Sequence, residues 1–277
     1  MQILRSRKEL DHLLNEIREK NLEIGLIPTM GSIHEGHLSL VRQSIQHKVF
    51  SLVTIYINPT QFNKKEDYQS YPREEKNDIE KLVNINCDAL YFPKQEEMYP
   101  NGLKSINTVK KFRNILCDNY RPGHFDGVTT VVESLLKVVN PNHVFFGEKD
   151  FQQLKIIQTL IEHLELNIRI HACPSIRLKN GMSLSSRFNN FLEIDKTIFN
   201  MCAYQIDQLI KNLKNNFNKV SLEDFKFTLS QNGVKKIDYL EIRNEENLLL
   251  SSTLNKSRLF IAIYIGQVRV IDNFILY

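Results

Sequence analysis

The sequence predicts an α/β fold, a doubly wound parallel sheet followed by a second, smaller α+β domain. Three observations carry this. Short apolar, β-prone runs alternate with helical patterns over the first two-thirds of the chain, the pattern of a parallel sheet covered by helices. One of those runs, "VFSLVTIYI" (49–57), is apolar almost throughout, as a strand covered on both faces must be. Near Pro174 the pattern gives way to a polar, turn-rich segment, "PSIRLKNGMSLSSRFNN".

Taken in order, "LEIGLI" (22–27) reads as the first strand, and "GHLSLVRQSIQHK" (36–48) as a helix with its apolar face on Leu38, Val41 and Ile45. "VFSLVTIYI" is the second strand. "PREEKNDIEKLVNI" (72–85) opens with proline and acids, which suits a helix N-terminus. "DALYFP" (88–93) is a strand, "GVTTVVESLLKVVN" (127–140) a helix by period, and "HVFFG" (143–147) a strand. "DFQQLKIIQTLIEHLE" (150–165) is an amphipathic helix and "LNIRIHACP" (166–174) the closing strand. Beyond the boundary near 174–176 come helices at about 195–217 and 221–232. "KKIDYLEIRN" and "SRLFIAIYIGQVRVIDN" then read as antiparallel strands. The expected domains are therefore 1–174 and 175–277.

Composition narrows the function. Hydrophobic residues are 42% and charged residues 25% of the 277, a globular balance able to bury a core. Lys and Arg exceed Asp and Glu by 36 − 32 = 4, too little to call for nucleic acid. No apolar run reaches membrane-spanning length. The start, "MQILRSRKELDHLLNEIREK", lacks the apolar centre of a signal peptide. Cys87, Cys117, Cys173 and Cys202 are too scattered for a zinc or redox motif, so a cytoplasmic protein with reduced thiols is expected.

The chemistry concentrates in the segments that follow strands, where ligands bind in such sheets. "PTMGSIHEGHLSL" (28–40) turns from the first strand into a helix. Free N–H groups at a helix start attract anions, and Gly31 and Gly36 would let a phosphate approach the backbone. The Gly31-x4-Gly36 spacing matches half of a P-loop, but His37-Leu38 stand where Lys-Ser or Lys-Thr would be needed, and no GxGxxG is present. His34 and His37, three apart, face one side of a turn. A metal pair would need a third ligand, and none is evident. Two readings stay open, histidines that cap the helix or sit in solvent, and two N–H donors aimed at phosphates.

Four further segments carry the same double reading. In "YINPTQF" (56–62), Asn58 and Gln61 are placed to hydrogen-bond a small hydroxylated acid, or they belong to an Asn-Pro turn. "RPGHFDGVTTVV" (121–132) offers Arg121, His124 and Asp126, or an ordinary loop with Asp126 as helix cap. In "FFGEKDFQQL" (145–154), Lys149 suits a phosphate and Asp150 opens the helix, while Gln152 and Gln153 face different directions; the plain alternative is a solvated helix start. "GMSLSSRFNNFL" (181–192) offers two hydroxyls and an Arg fork to a triphosphate, or a Ser-rich linker.

Together these strings resemble a known family. "HEGH" is similar to the His-x-Gly-His signature shared with class I aminoacyl-tRNA synthetases. The longer "PTMGSIHEGHLSLV" closely resembles the pantothenate synthetases, ATP-dependent ligases that join pantoate to β-alanine. "MSLSSR" is similar to the superfamily's mobile Lys-Met-Ser-Lys-Ser loop, and "RVIDN" (269–273) to the family's usual ending. The resemblance implies a Rossmann-like first domain and a second domain that closes over the site. It implies ATP contacts by Met30, Gly31, Ser32, Ile33, His34, Glu35, Gly36, His37, Gly147, Glu148, Lys149, Asp150, Ile176, Leu184, Ser185, Ser186 and Arg187. Of these, His34, His37, Lys149, Ser185, Ser186 and Arg187 would act in catalysis. Gln61 and Gln153 would hold pantoate, Gln61 also adjoining β-alanine, and Arg121 would flank the site. ATP would be a substrate, Mg2+ its companion, and the protein a cytoplasmic homodimer without nucleic-acid or membrane partners. Phe188 departs from the family pattern of Ser-Ser-Arg-Asn, either replacing the Asn or entering as a one-residue insertion, which leaves the match of Asn189 open and Arg187 in register. A nucleotidyltransferase releasing a nucleotide-capped product, or a synthetase-related nucleic-acid-binding module, would share parts of this pattern.

Overall fold

In the computed structural model, which describes residues 1–105, 109–217 and 220–277, six strands form one parallel sheet. They are β1 (Gln2–Leu4), β2 (Ile24–Thr29), β3 (Phe50–Ile55), β4 (Ala89–Tyr91), β5 (His143–Gly147) and β6 (Arg169–Cys173), in the order β1-β4-β3-β2-β5-β6. The interleaved helices are α1 (Arg7–Glu19), α2 (Glu35–Gln46), α3 (Lys65–Gln69), α4 (Glu75–Asn84), α5 (Gln95–Met98), α6 (Cys117–Tyr120), α7 (His124–Val139) and α8 (Phe151–His163). Leu26, Leu52, Val53, Leu90, Val144 and Phe145 are fully buried, so the continuous apolar runs do mark strands covered on both faces. Strand order reverses between β2 and β5. That is the topological switch point where open α/β sheets bind ligands, and "MGSIHEGH" and "GEKD" follow these two strands.

The chain divides into two compact units. One comprises residues 1–113, 121–148 and 153–174, the other 114–120, 149–152 and 175–277. In the second unit, α9 (Glu193–Asn216) and α10 (Leu222–Gln231) accompany an antiparallel sheet of β7 (Val234–Asn244), β8 (Ser257–Ile265) and β9 (Val268–Ile275). Its core gathers Phe199, Ile206, Leu209, Leu240, Leu259, Ile261 and Ile263.

Two local expectations need correction. Ile45 is exposed; α2 buries Leu38, Leu40, Val41 and Ser44 instead, because the helix faces the sheet through small Ser44 rather than the bulkier neighbour. Asp126 is not a cap. Gly123, in the left-handed region at φ +77°, precedes α7, and Asp126 pairs with Arg113 at 2.7 Å. The first twenty residues, to which the sequence assigned no element, form β1 and α1. All four cysteines are free and buried; burial pushes the thiols of Cys87, Cys173 and Cys202 up to about 11. No described helix is long and apolar enough to cross a membrane.

At the start of the central strands lies a histidine cluster. His143 on β5 shares a 2.7 Å hydrogen bond with His171 on β6, and its other ring nitrogen lies 3.1 Å from Glu23. The rings of His47, at the end of α2, and Phe145 lie 4.3 and 4.5 Å from that of His171. Burial lowers the affinity of His171 for a proton, and the neighbouring His47, His143 and Arg169 lower it further. Between the ordinary imidazole value, about 6.5, and the lower folded value, the unfolded chain binds a proton that the folded chain refuses. Stability is therefore expected to fall as pH drops below about 6.5 and to level off beneath the folded value. Urea midpoints from pH 8 to 5 measure this, and His171→Phe should flatten the slope; an unchanged slope in that variant would assign the loss to other groups.

Candidate active site

The turn after β2 is built by its two histidines. His34 caps α2, its Nδ1 accepting from the Gly36 N–H at 3.0 Å, while the Nδ1 of His37 accepts from the His34 N–H at 3.3 Å. This is a capping box made of imidazoles. An accepting Nδ1 carries no proton, so each neutral ring holds its proton on Nε2. The caps therefore fix the tautomer that donates from Nε2, and the two rings lie 4.1 Å apart. Capping and phosphate donation, the two readings of the sequence, are compatible. Gly36 is required for this packing, since a Cβ there would lie 2.8 Å from His34 Cε1.

Several backbone N–H groups of this turn already have protein partners. The N–H groups of Ser32 and Ile33 donate to Asp78 at 2.9 and 2.6 Å. The Gly31 N–H donates to Thr29 Oγ1 at 3.2 Å, and Gly36 is engaged by His34. Ser32 and Ile33 are themselves buried. Glu35 is exposed and pairs with Arg42 at 2.9 Å.

After β3, Asn58 is fully buried and saturated by protein partners. Its Nδ2 donates to the Gly127 carbonyl at 2.9 Å and to Gln61 Oε1 at 3.2 Å, and its Oδ1 accepts from Tyr99 Oη at 2.5 Å. The expected direct contact of Asn58 with a substrate is thus replaced by a supporting role. Gln61 is half-buried at the end of the 3₁₀ turn Pro59–Gln61. Its Nε2 donates to Met30 Sδ at 3.0 Å, and its carbonyl accepts from Arg121 Nη2 at 3.2 Å and His124 Nδ1 at 2.8 Å. Arg121 and His124 therefore hold the backbone of Gln61. Gly127 lets α7 pack on this turn, for a Cβ would approach the Gln61 nitrogen to 2.8 Å.

After β5 come Gly147 and the 3₁₀ turn Glu148–Asp150. Gln152 is buried, tied to the Cys117 N–H and the Ile115 carbonyl at 3.0 and 2.9 Å. Its neighbour Gln153 is half-buried on the first turn of α8. Lys149 Nζ lies 3.5 Å from Asp150 Oδ2, and its carbonyl accepts from Asn273 Nδ2 at 3.0 Å.

The segment 176–184 closes on itself, with Leu178 N donating to Met182 O and Leu184 N to Ile176 O. Asp272 holds it from β9, accepting from the N–H and hydroxyl of Ser183 at 2.7 and 2.6 Å and from Arg177 at 3.1 Å. Adjacent residues of "RVIDN", Asp272 and Asn273, thus fasten Ser183 and Lys149 respectively. Ser185 caps the 3₁₀ turn Ser186–Asn190 through the Arg187 N–H at 3.3 Å. Phe188 stacks with Phe191 and packs against Phe199 at 5.3 and 4.7 Å. It anchors the turn in the core and leaves Asn189 exposed. Ser185, Ser186 and Arg187 are half-buried, Ile176 exposed and Leu184 half-buried. Sequence reasoning did not find Asp78, Asp272 or Asn273 as supports. Among the described residues, no group of three or more His, Cys, Asp or Glu is placed to cage a metal.

Comparison with known proteins agrees over the whole chain. The family model described as Pantoate-beta-alanine ligase matches residues 2–275. A pantothenate synthetase of Chelativorans sp. is 39% identical over 273 residues, 98% of this chain and 96% of that one. One of Thermotoga petrophila is 37% identical over 281 residues, the full length of both. The crystal structure of pantoate-beta-alanine ligase from Francisella tularensis, complexed with beta-gamma ATP and beta-alanine, superposes with a TM-score of 0.85 at 35% identity, covering 100% of this chain and 98% of that one. Pantothenate synthetase from Thermus thermophilus superposes at 0.88 with 29% identity over both full chains. With the family's model spanning all but three terminal residues, and its histidine turn built at the switch point of the sheet, the chain belongs to the pantoate–β-alanine ligase family.

Proposed function

We propose that this protein is an ATP-dependent ligase condensing (R)-pantoate with β-alanine to pantothenate. In the first step a pantoate carboxylate oxygen attacks the α-phosphorus of ATP, forming pantoyl adenylate as the bond to pyrophosphate breaks. In the second, the β-alanine amine attacks the acyl carbon; the C–N bond forms, AMP leaves and the amine loses a proton. The observation that carries the reading is the imidazole capping box, which sets both His34 and His37 to donate from Nε2.

The first step brings an anion against a polyanion, so its catalyst must offset negative charge. His37, with His34 beside it, donates to the phosphate oxygens as pyrophosphate departs. Lys149 and Arg187 supply formal positive charge, the first as a point charge and the second as a planar fork. Ser185 and Ser186 add hydroxyl donors. Gly147, Glu148, Asp150, Ile176 and Leu184 complete the nucleotide contacts that family resemblance supports. Gln61 and Gln153 hold pantoate, and Gln61 adjoins β-alanine. They follow β3 and β5, two strand spacings apart, roughly 10 Å, a span that a small branched acid can bridge. Mg2+ would accompany ATP, whose phosphate oxygens commonly supply many of its ligands, and would offset phosphate charge. No protein nucleophile is used. Resemblance also supports a cytoplasmic homodimer.

The test is an omission series. With ATP, pantoate and β-alanine all present, AMP and pantothenate are expected in equal amounts, and omission of any one substrate should abolish both. A nucleotide-capped product would point to a nucleotidyltransferase, and no turnover with any combination would sink the enzymatic reading.

A further inference from the structure

Asp78 stands on α4, 46 residues along the chain from Ser32, yet it is only 2% exposed and its two carboxylate oxygens each accept a backbone N–H of the histidine turn. Successive left-handed residues, Gly31 at φ +79° and Ser32 at φ +52°, curl the backbone around it. Such a curl of N–H groups is an anion nest, a form that elsewhere receives phosphate. Asp78 Oδ2 would lie 3.1 Å from a Cβ on Gly31, so the carboxylate packs directly against that residue. One helical turn on, Lys81 Nζ donates to the Ile33 carbonyl at 2.6 Å. Both the N–H and the C=O of Ile33, the residue before His34, are therefore held by α4.

We infer that Asp78, assisted by Lys81, is the built-in anion of this nest and a positioning residue for His34 and His37. Its role rests on the histidines acting as proposed above. Ser32 is no glycine, and a left-handed backbone at such a residue is held only where its surroundings impose it. The two charge-assisted hydrogen bonds supply that constraint. They also fill the nest, so the turn presents its imidazoles to the substrate rather than its amides. Burial raises the Asp78 carboxyl above the ordinary carboxylate range, against the opposing pull of the Ile33 and Ser32 N–H groups and Lys81.

Asp78→Asn is nearly isosteric but replaces one accepting oxygen with an NH2 that faces an N–H. A small displacement of catalytic groups is enough to lower a rate by about 10²-fold. Pantoate-dependent exchange of pyrophosphate into ATP should therefore fall by about 10- to 100-fold in kcat, with KM for pantoate changed by less than about threefold, since Gln61 and Gln153 lie outside this turn. The deciding measurement is a double-mutant cycle with His37→Ala. If Asp78 acts through the histidines, Asp78→Asn should add almost no loss in the His37→Ala background. Independent, multiplying losses, or full activity of Asp78→Asn, would overturn the inference while leaving the histidine reading intact. A fully active His37→Ala would overturn both. Should Asp78→Asn not fold, Lys81→Met in the same cycle loosens the clamp from the Ile33 carbonyl and is judged by the same outcomes.

Discussion

His37→Ala is expected to lower pantoate-dependent exchange of pyrophosphate into ATP by about 10²-fold or more, equivalent to roughly 2.7 kcal/mol of transition-state stabilisation. The expectation follows from the tautomer that the capping box imposes. With Nδ1 accepting from the His34 N–H, the neutral ring donates from Nε2, and a donor aimed at developing charge contributes most when it needs no reorganisation. His37→Asn sharpens the test. Asn can accept at the cap but cannot extend a donor to the position of Nε2, so it should restore helix stability without restoring the rate. Exchange at the wild-type rate in either variant would show that the imidazole serves only the helix.

The second large effect concerns substrate choice. Gln61 and Gln153 are neutral amides with both donor and acceptor groups, suited to a hydroxyl on a small acid. Gln61 is fixed in advance, by Asn58 and Met30 at its side chain and by Arg121 and His124 at its carbonyl. A pre-set polar group left unpaired by a deficient ligand costs about 1–3 kcal/mol, and sites built this way reject analogues lacking the hydroxyl by roughly 10⁴-fold or more. A pantoate analogue without its hydroxyls should accordingly be adenylated at least about a thousandfold less well in kcat/KM. Gln153→Leu should shrink that ratio by harming the true substrate more than the analogue. Wild-type acceptance of the analogue within about tenfold would mean that the glutamines do not read the hydroxyl, because apolar fit alone discriminates by only about 10–200-fold.

What could be read from the chain, and what could not, follows the range of the interactions. Strands β2 to β5 were legible because burial on both faces makes them apolar within a few consecutive letters; β6, where only Cys173 is buried, was marked by its place in the strand–helix alternation, and the antiparallel strands by β-prone runs beyond the domain boundary. The three residues of β1 carry too little pattern to stand out. The Ser6-Arg7-Lys8-Glu9 capping box that starts α1 was legible in principle, since Ser6 and Glu9 do bond reciprocally. The two imidazoles could be recognised as a pair from their spacing, but not as each other's caps. That depends on ring orientation. Longer-range partners were hidden altogether. Nothing near Ser32 announces a carboxylate 46 residues away, nothing near Ser183 announces Asp272, and Asn58 looks like a substrate contact until Gly127 and Tyr99 are seen to surround it.

The Asp78 carboxylate in its nest also bears on inhibitor chemistry. A sulfonate, phosphonate or carboxylate warhead aimed at the Ser32 and Ile33 amides would have to displace a competitor that is covalently part of the protein and cannot be diluted away. It would leave that displaced charge buried beside its own. Medicinal effort in this turn is better directed to a neutral acceptor for the imidazole Nε2–H groups, where the fold has already chosen the proton's position.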